Sequence, residues 1–275
     1  MEDMLGWRYI LNVRRKNSYF FYWYIKVIFQ CTFIVIIIEV FDKIVTLEKK
    51  NIEIDRLGSS KVYSLCSVFL YVMLSYVYLK YFQEIFPQNG IMRSLIVRCG
   101  IMIPSFIFII LNNEKMSSFG IMKRNILPSI IIGVVCSAVY IVTYIPINNI
   151  NYSLLITKID LKIFISFLYL FIYCIVIAFS EEFLFRGYLQ TRLTACYGKK
   201  LGLLYATIIF ALMHIPQLMV SSNYGIVYAL VQSITYLPLG FVLGYLYMKT
   251  ENLTSCVILH TFANWLVFAI SQIVI

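Results

Sequence analysis

Two adjacent glutamates stand at the end of an apolar run. Ser180-Glu181-Glu182-Phe183-Leu184-Phe185-Arg186-Gly187 follows a stretch, 161–179, broken only by Lys162 and Ser166. A charged side chain at the centre of a bilayer costs about 2.5–3.5 kcal/mol on insertion scales, so such groups need a use or a partner. Glu182 has a partner at hand, because Arg186 lies at i+4 and shares its helix face. Glu181 is turned about 100° from that pair and is left to face something else. The chain has only two histidines, and both fall in later apolar runs, His214 in Phe210-Ala-Leu-Met-His214-Ile-Pro216 and His260 in His260-Thr-Phe-Ala-Asn264-Trp. Imidazole is costly in hydrocarbon and faces a bundle interior. Asn264, at i+4 from His260, points the same way. Pro216 disrupts the helix just beyond His214 and frees a backbone carbonyl, leaving room for water or substrate.

The chemistry such a set supports is hydrolysis. A poorly solvated carboxylate is a good general base, and His214 can hold or help deprotonate the water. His260 and Asn264 can donate hydrogen bonds to the oxyanion formed when a carbonyl is attacked. Glu181, His214 and His260 are also a normal ligand set for a catalytic zinc, which keeps one position for water, although the H-E-x-x-H helix of a zincin is missing. Depths along the helices are compatible with one cavity, the first two agreeing and the third shallower but within reach for tilted helices. At 1.5 Å per residue, Glu181 lies about 25 Å from Gly198, His214 about 21 Å from Lys200 and His260 about 12 Å from Asn252. Each motif alone has a bland reading as a salt-bridged helix face or as interhelical glue. Together, in order, and using every histidine in the chain, they point to one site.

Glu181-Glu182-x-x-x-Arg186, Phe210-x-x-x-His214 and His260-x-x-x-Asn264 resemble the three-motif signature of the CPBP family, which comprises the type II CAAX prenyl endopeptidases and their bacterial relatives, the Abi proteins. The flanks Phe185-Arg186-Gly187-Tyr188-Leu189-Gln190 and Phe210-Ala211-Leu212 are similar too. The resemblance covers about 161–265, while 1–125 matches only in being hydrophobic. It implies an intramembrane endopeptidase in which Glu181 and His214 activate water, His260 and Asn264 form the oxyanion site, and Glu182 and Arg186 support it. It implies a peptide or protein substrate, prenylated or not, and leaves the metal question open: the glutamate-based reading needs no cofactor, the other takes zinc. Bacterial relatives suggest processing of, or immunity to, bacteriocin-like peptides.

The elements that must carry these residues are membrane helices. The sequence is 61% hydrophobic and 13% charged, against about 25% charged in soluble domains. This reads as an all-α polytopic membrane protein, a single domain over 1–275 with its motif-bearing core at 161–265. Eight stretches are long enough to span, at about 18–40, 62–82, 95–111, 126–146, 161–185, 201–220, 225–248 and 253–275. The fifth continues until Gly198 stops it. The runs are too long and continuous for transmembrane strands. The seven cysteines are scattered without a C-x-x-C pair and read as small buried hydrophobes. The net charge of +10 comes with no nucleic-acid-binding motif and fits loops that set orientation. Segments 42–61, 112–125, 189–200 and 249–252 hold 12 Lys and Arg against 6 in 1–17, 84–93, 147–160 and 221–224, which puts the first group in the cytoplasm. The basic N-terminal residues Arg8, Arg14, Arg15 and Lys16 argue the other way. The site is expected to open toward the cytoplasm. Two other classes compete with the enzyme: a non-proteolytic scaffold or immunity protein, which has no need for paired membrane carboxylates, and a transporter, which would favour matching halves that the sequence lacks.

Overall fold

The computed structural model describes residues 17–45, 47, 69, 100, 102–103, 105–107, 109–111, 113, 115, 119–148, 150, 161–221 and 224–274. Among the described residues the protein is helical, without strands. The helices are α1 (Asn17–Ile44), α2 (Ile126–Ile147), α3 (Leu161–Glu182), α4 (Thr191–Leu212), α5 (Ile215–Ser221), α6 (Ile226–Ser233), α7 (Leu237–Thr250) and α8 (Leu253–Val274). A π-helical segment, Phe183–Gln190, joins α3 to α4, and a 3-10 turn, Ile234–Tyr236, joins α6 to α7.

Five helical stretches are long and apolar enough to cross a membrane: Phe21–Ile44, Ile126–Ile147, Ile163–Met219, Ile226–Thr250 and Leu253–Ile270. The expected count of eight is therefore not reproduced. The expected fifth and sixth spans lie in one continuous helical stretch, the second falls outside the described residues except for Phe69, and the third is described only in pieces. Gly198 still divides that stretch. Its φ of 80° and ψ of 166° are non-helical, a conformation open to glycine at little cost. The chain turns back there, because a Cβ on Gly202 would fall 2.6 Å from the Cα of Thr194. Residues eight apart along a straight helix lie about 12 Å apart. The outward faces of α1, α2 and α3 carry large exposed side chains such as Phe29, Phe33, Ile131, Val134, Phe164 and Ile172. A contiguous apolar exterior of this kind suits lipid, not water.

The centre of the bundle is α8, which packs along both α2 and α3 and touches α7. Its start is held firmly. Asn252 Oδ1 accepts the Thr254 backbone N–H at 2.9 Å, a normal N-cap bond. The same side chain donates from Nδ2 to the carbonyls of Met122 and Arg124. Small residues bring α2 onto α8, since a Cβ on Gly133 would sit 3.0 Å from the Ser255 carbonyl oxygen. Helices in lipid associate through such close backbone contacts. Glu39, near the end of α1, ties that helix to α7: it pairs with Lys249 at 2.7 Å and accepts the Tyr245 hydroxyl.

Candidate active site

Glu181 and Glu182 end α3, at the point where the backbone passes from α-helix to the π-helical segment. Every residue of that segment, Phe183 to Gln190, is buried. A π-helical stretch inside an α-helix recurs at functional sites. Here it lets an arginine and a glutamine bond sideways to the next helix while the whole circumference stays packed. Arg186 Nη2 donates to the Gly240 carbonyl at 3.0 Å, and Gln190 Nε2 donates to the Gly244 carbonyl at 2.8 Å. Both acceptors lie on α7, and bare glycines allow the approach. A Cβ on Gly244 would come within 2.8 Å of Gln190 Oε1.

Behind the site lies a buried charge relay of three side chains. Arg186 Nη1 donates to Glu182 Oε1 at 2.9 Å, and the same oxygen accepts from His260 Nδ1 at 2.7 Å. Glu182 is 0% and Arg186 1% exposed. The guanidinium also sits 4.2 Å over the ring of Phe210, the residue four before His214. Because a carboxylate only accepts, the proton between Glu182 and His260 is on Nδ1. The opposite nitrogen, Nε2, then faces Glu181, whose Oε2 is 3.8 Å away. That is too long for a direct hydrogen bond and a spacing that one water can bridge.

His214 sits in the break between α4 and α5. Its backbone carbonyl accepts the Leu218 N–H at 2.9 Å and so opens α5, with Pro216 in the first turn, where a missing N–H costs nothing. The disruption expected at Pro216 is thus realised. The imidazole Nδ1 donates to the Phe210 carbonyl at 2.8 Å, which makes Nε2 the acceptor of the neutral ring. Tyr236, carried by the 3-10 turn, stacks on the imidazole with centroids 3.7 Å apart. The turn exists because Pro238 cannot continue a helix backward from α7, and it presents Thr235 and Tyr236 to the site.

Glu181, His214, His260 and Asn264 all line one cavity of about 140 Å³. A water needs only about 10–15 Å³ of such space, so the cavity admits several. Glu182 and Arg186 stand behind the wall, not in it. Residues that the sequence reading passed over complete the enclosure. Trp23, Gln30 and Cys31 come from α1, and Tyr140 and Tyr144 from α2. The signal for Gln30 was present, since an amide deep in an apolar span faces the interior by the same reasoning that singled out the histidines. Among the described residues no three His, Cys, Asp or Glu side chains gather so as to hold a metal ion. Glu181, His214 and His260, as placed, do not make a zinc cage.

The cavity has a direction. From His260 in mid-bundle it runs toward Phe268 on α8, Tyr144 on α2 and Trp23 on α1. That is the end where α1 begins, α2 ends and α3 begins, and it is opposite Gly198 and Asn252. The described members of the Lys and Arg excess counted along the sequence, such as Lys43, Arg124, Lys199 and Lys249, flank the other end. Three members of that excess are not free loop charges. Arg192 is fully buried, with its guanidinium 3.8 Å over Tyr188. Arg124 pairs with Glu251, and Lys249 pairs with Glu39 and Asp42.

Residues 163–266 match the family described as type II CAAX prenyl endopeptidase Rce1-like. No curated protein and no solved structure matches the chain. The matched segment holds α3 from Ile163, the π-helical segment and the site residues through Asn264. It leaves out α1 and α2.

Proposed function

We propose, from the match of residues 163–266 to the type II CAAX prenyl endopeptidase, Rce1-like family, that this chain hydrolyses a peptide bond within the membrane by carboxylate-activated water. The observation that carries the reading is the convergence of Glu181, His214, His260 and Asn264 on one cavity, with Glu182 and Arg186 paired behind it. The water lies between Glu181 and His214 Nε2. Its oxygen adds to the carbonyl carbon of the scissile bond as its proton passes to Glu181. The oxyanion accepts hydrogen bonds from Asn264 Nδ2 and, when the ring carries both protons, from His260 Nε2. Collapse of the tetrahedral intermediate breaks the C–N bond, and Glu181 returns the proton to the departing amine. Glu182 does no bond making. It holds His260 by Nδ1 and is itself held by Arg186, so the imidazole meets the substrate with a fixed tautomer and plane.

The core at 161–265 works within one membrane domain, since α1 and α2 close the cavity. The substrate is the tail of a peptide or protein, prenylated or not, entering from the cytoplasm. A cytoplasmic placement of the cavity end rests on the basic residues Arg8, Arg14, Arg15 and Lys16 immediately ahead of α1 and reverses the orientation given by the 12-to-6 count of Lys and Arg.

The test is cleavage of a dye-labelled farnesylated peptide ending in a CAAX box, and of its unprenylated twin, by purified protein, with products identified by mass. Glu181→Gln keeps the shape and removes the base. It should fold as wild type and lose about 10²-fold or more in rate. A wild type that cleaves neither peptide, or a Glu181→Gln variant that cleaves as fast, would sink the proposal.

A further inference from the structure

A peptide drawn into a membrane-embedded cavity brings its main-chain N–H groups with it. Each one left unpaired there carries a heavy penalty, because no bulk water is available to replace a partner. The cavity must therefore supply acceptors besides the carboxylate occupied with the water.

Gln30 is placed to be one. It lies on α1, outside the segment shared with the family, is 4% exposed and lines the same cavity as Glu181 and His260. Its amide orientation follows from chemistry. Nε2 donates to the Tyr140 carbonyl at 2.9 Å, an atom that can only accept, and to Thr143 Oγ1 at 2.8 Å. Both N–H bonds of the amide are thereby used, and the carbonyl is aimed away from α2. Among the described residues Oε1 makes no hydrogen bond, yet it is not one of the buried polar atoms sealed without a partner. A purely structural glutamine would need only the two bonds from Nε2. This one keeps an oriented acceptor on the wall of the cavity.

We propose that Gln30 positions the substrate: its side-chain carbonyl accepts a main-chain N–H of the peptide held in the cavity. The proposal rests on the proteolytic reading above. It makes α1 a determinant of how the peptide is seated, and Tyr140 and Thr143 the groups that keep the acceptor pointed at it.

The experiment couples protein and substrate changes. A cleaved farnesylated peptide is remade as a series in which one backbone N–H at a time, around the scissile bond, is replaced by an ester oxygen. Wild type should lose about tenfold in kcat/KM at one position, the worth of a buried hydrogen bond left unmade. Gln30→Met, and Gln30→Asn with its shorter reach, should lose about as much on the unmodified peptide. They should then be insensitive, within about twofold, to the ester at that position, with the two variants providing a check should one fold poorly. If the ester and Gln30 losses multiply at every position, Gln30 is structural and the proposal falls while the protease reading stands. Cleavage of no peptide by wild type would remove both.

Discussion

Removing Arg186 is the sharpest test of the packing behind the site. Its guanidinium and the Glu182 carboxylate are 2.9 Å apart and both are buried. At an effective dielectric constant near 20 their attraction is about 6 kcal/mol. Desolvation of both charges offsets much of that in the intact protein. Arg186→Ala leaves the cost in place and removes the attraction, along with the bond to the Gly240 carbonyl and the contact with Phe210. Breaking one side of a buried pair costs about 3–5 kcal/mol, or roughly two to three and a half powers of ten in the folded-to-unfolded ratio. Reversible unfolding in mixed detergent micelles would read this directly. The pair can also be removed as a unit: Glu182→Gln with Arg186→Met leaves no unpaired charge and keeps an acceptor for His260 Nδ1. That double variant should recover a large part of the lost stability and little of the activity. Wild-type stability in Arg186→Ala, or a double variant no better than the single one, would refute the reasoning.

Three further outcomes are expected. His260→Ala and Asn264→Ala should each slow cleavage by an amount equivalent to about 2.7–4 kcal/mol of oxyanion stabilisation, and an unchanged kcat in either would remove that residue from the oxyanion site. A Cβ at Gly187 would stand 2.8 Å from the Phe119 backbone oxygen, an atom that cannot easily yield, so Gly187→Ala should cost about 1–3 kcal/mol in the same unfolding assay; a neutral effect would mean the contact relaxes freely. Green fluorescent protein fused after Ile275 should fluoresce and alkaline phosphatase at the same place should be silent, because α8 ends on the cavity side of the bundle; an active phosphatase would put the cavity outside the cytoplasm.

Much of the site was legible in the sequence because it is built from groups that hydrocarbon penalises. Glu181, Glu182, Arg186, His214 and His260 stood out against their surroundings, and their i,i+4 spacings gave the Glu182–Arg186 pair and the shared face of His260 and Asn264. Gly198 and Pro216 marked real breaks, since each alters the backbone by its own covalent structure. What stayed hidden depends on contacts between distant parts of the chain. Phe183–Gln190 reads as ordinary helix, and its π-helical geometry accompanies bonds to Gly240 and Gly244, 54 residues away. Gln30 and Trp23 look like minor irregularities in a span until α1 is laid against α2. The span count rests partly on residues outside the described ones, and within them apolar length alone does not separate the fifth and sixth spans, which a hairpin at Gly198 divides.

The two carbonyl bonds from the π-helical segment to α7 have a mechanical consequence. Arg186 and Gln190 are four residues apart, and so are Gly240 and Gly244, so the two strands of contact run in the same direction and in step. Sliding α7 by a single residue along its neighbour would detach both pins at once and drive a bulkier side chain into the space now left bare at each glycine. The pair therefore behaves as a keyed shaft that neither shears nor rotates in small increments. The segment that follows Glu181 is thereby fixed to α7 at two points, so the carboxylate is aimed from a floor held in register.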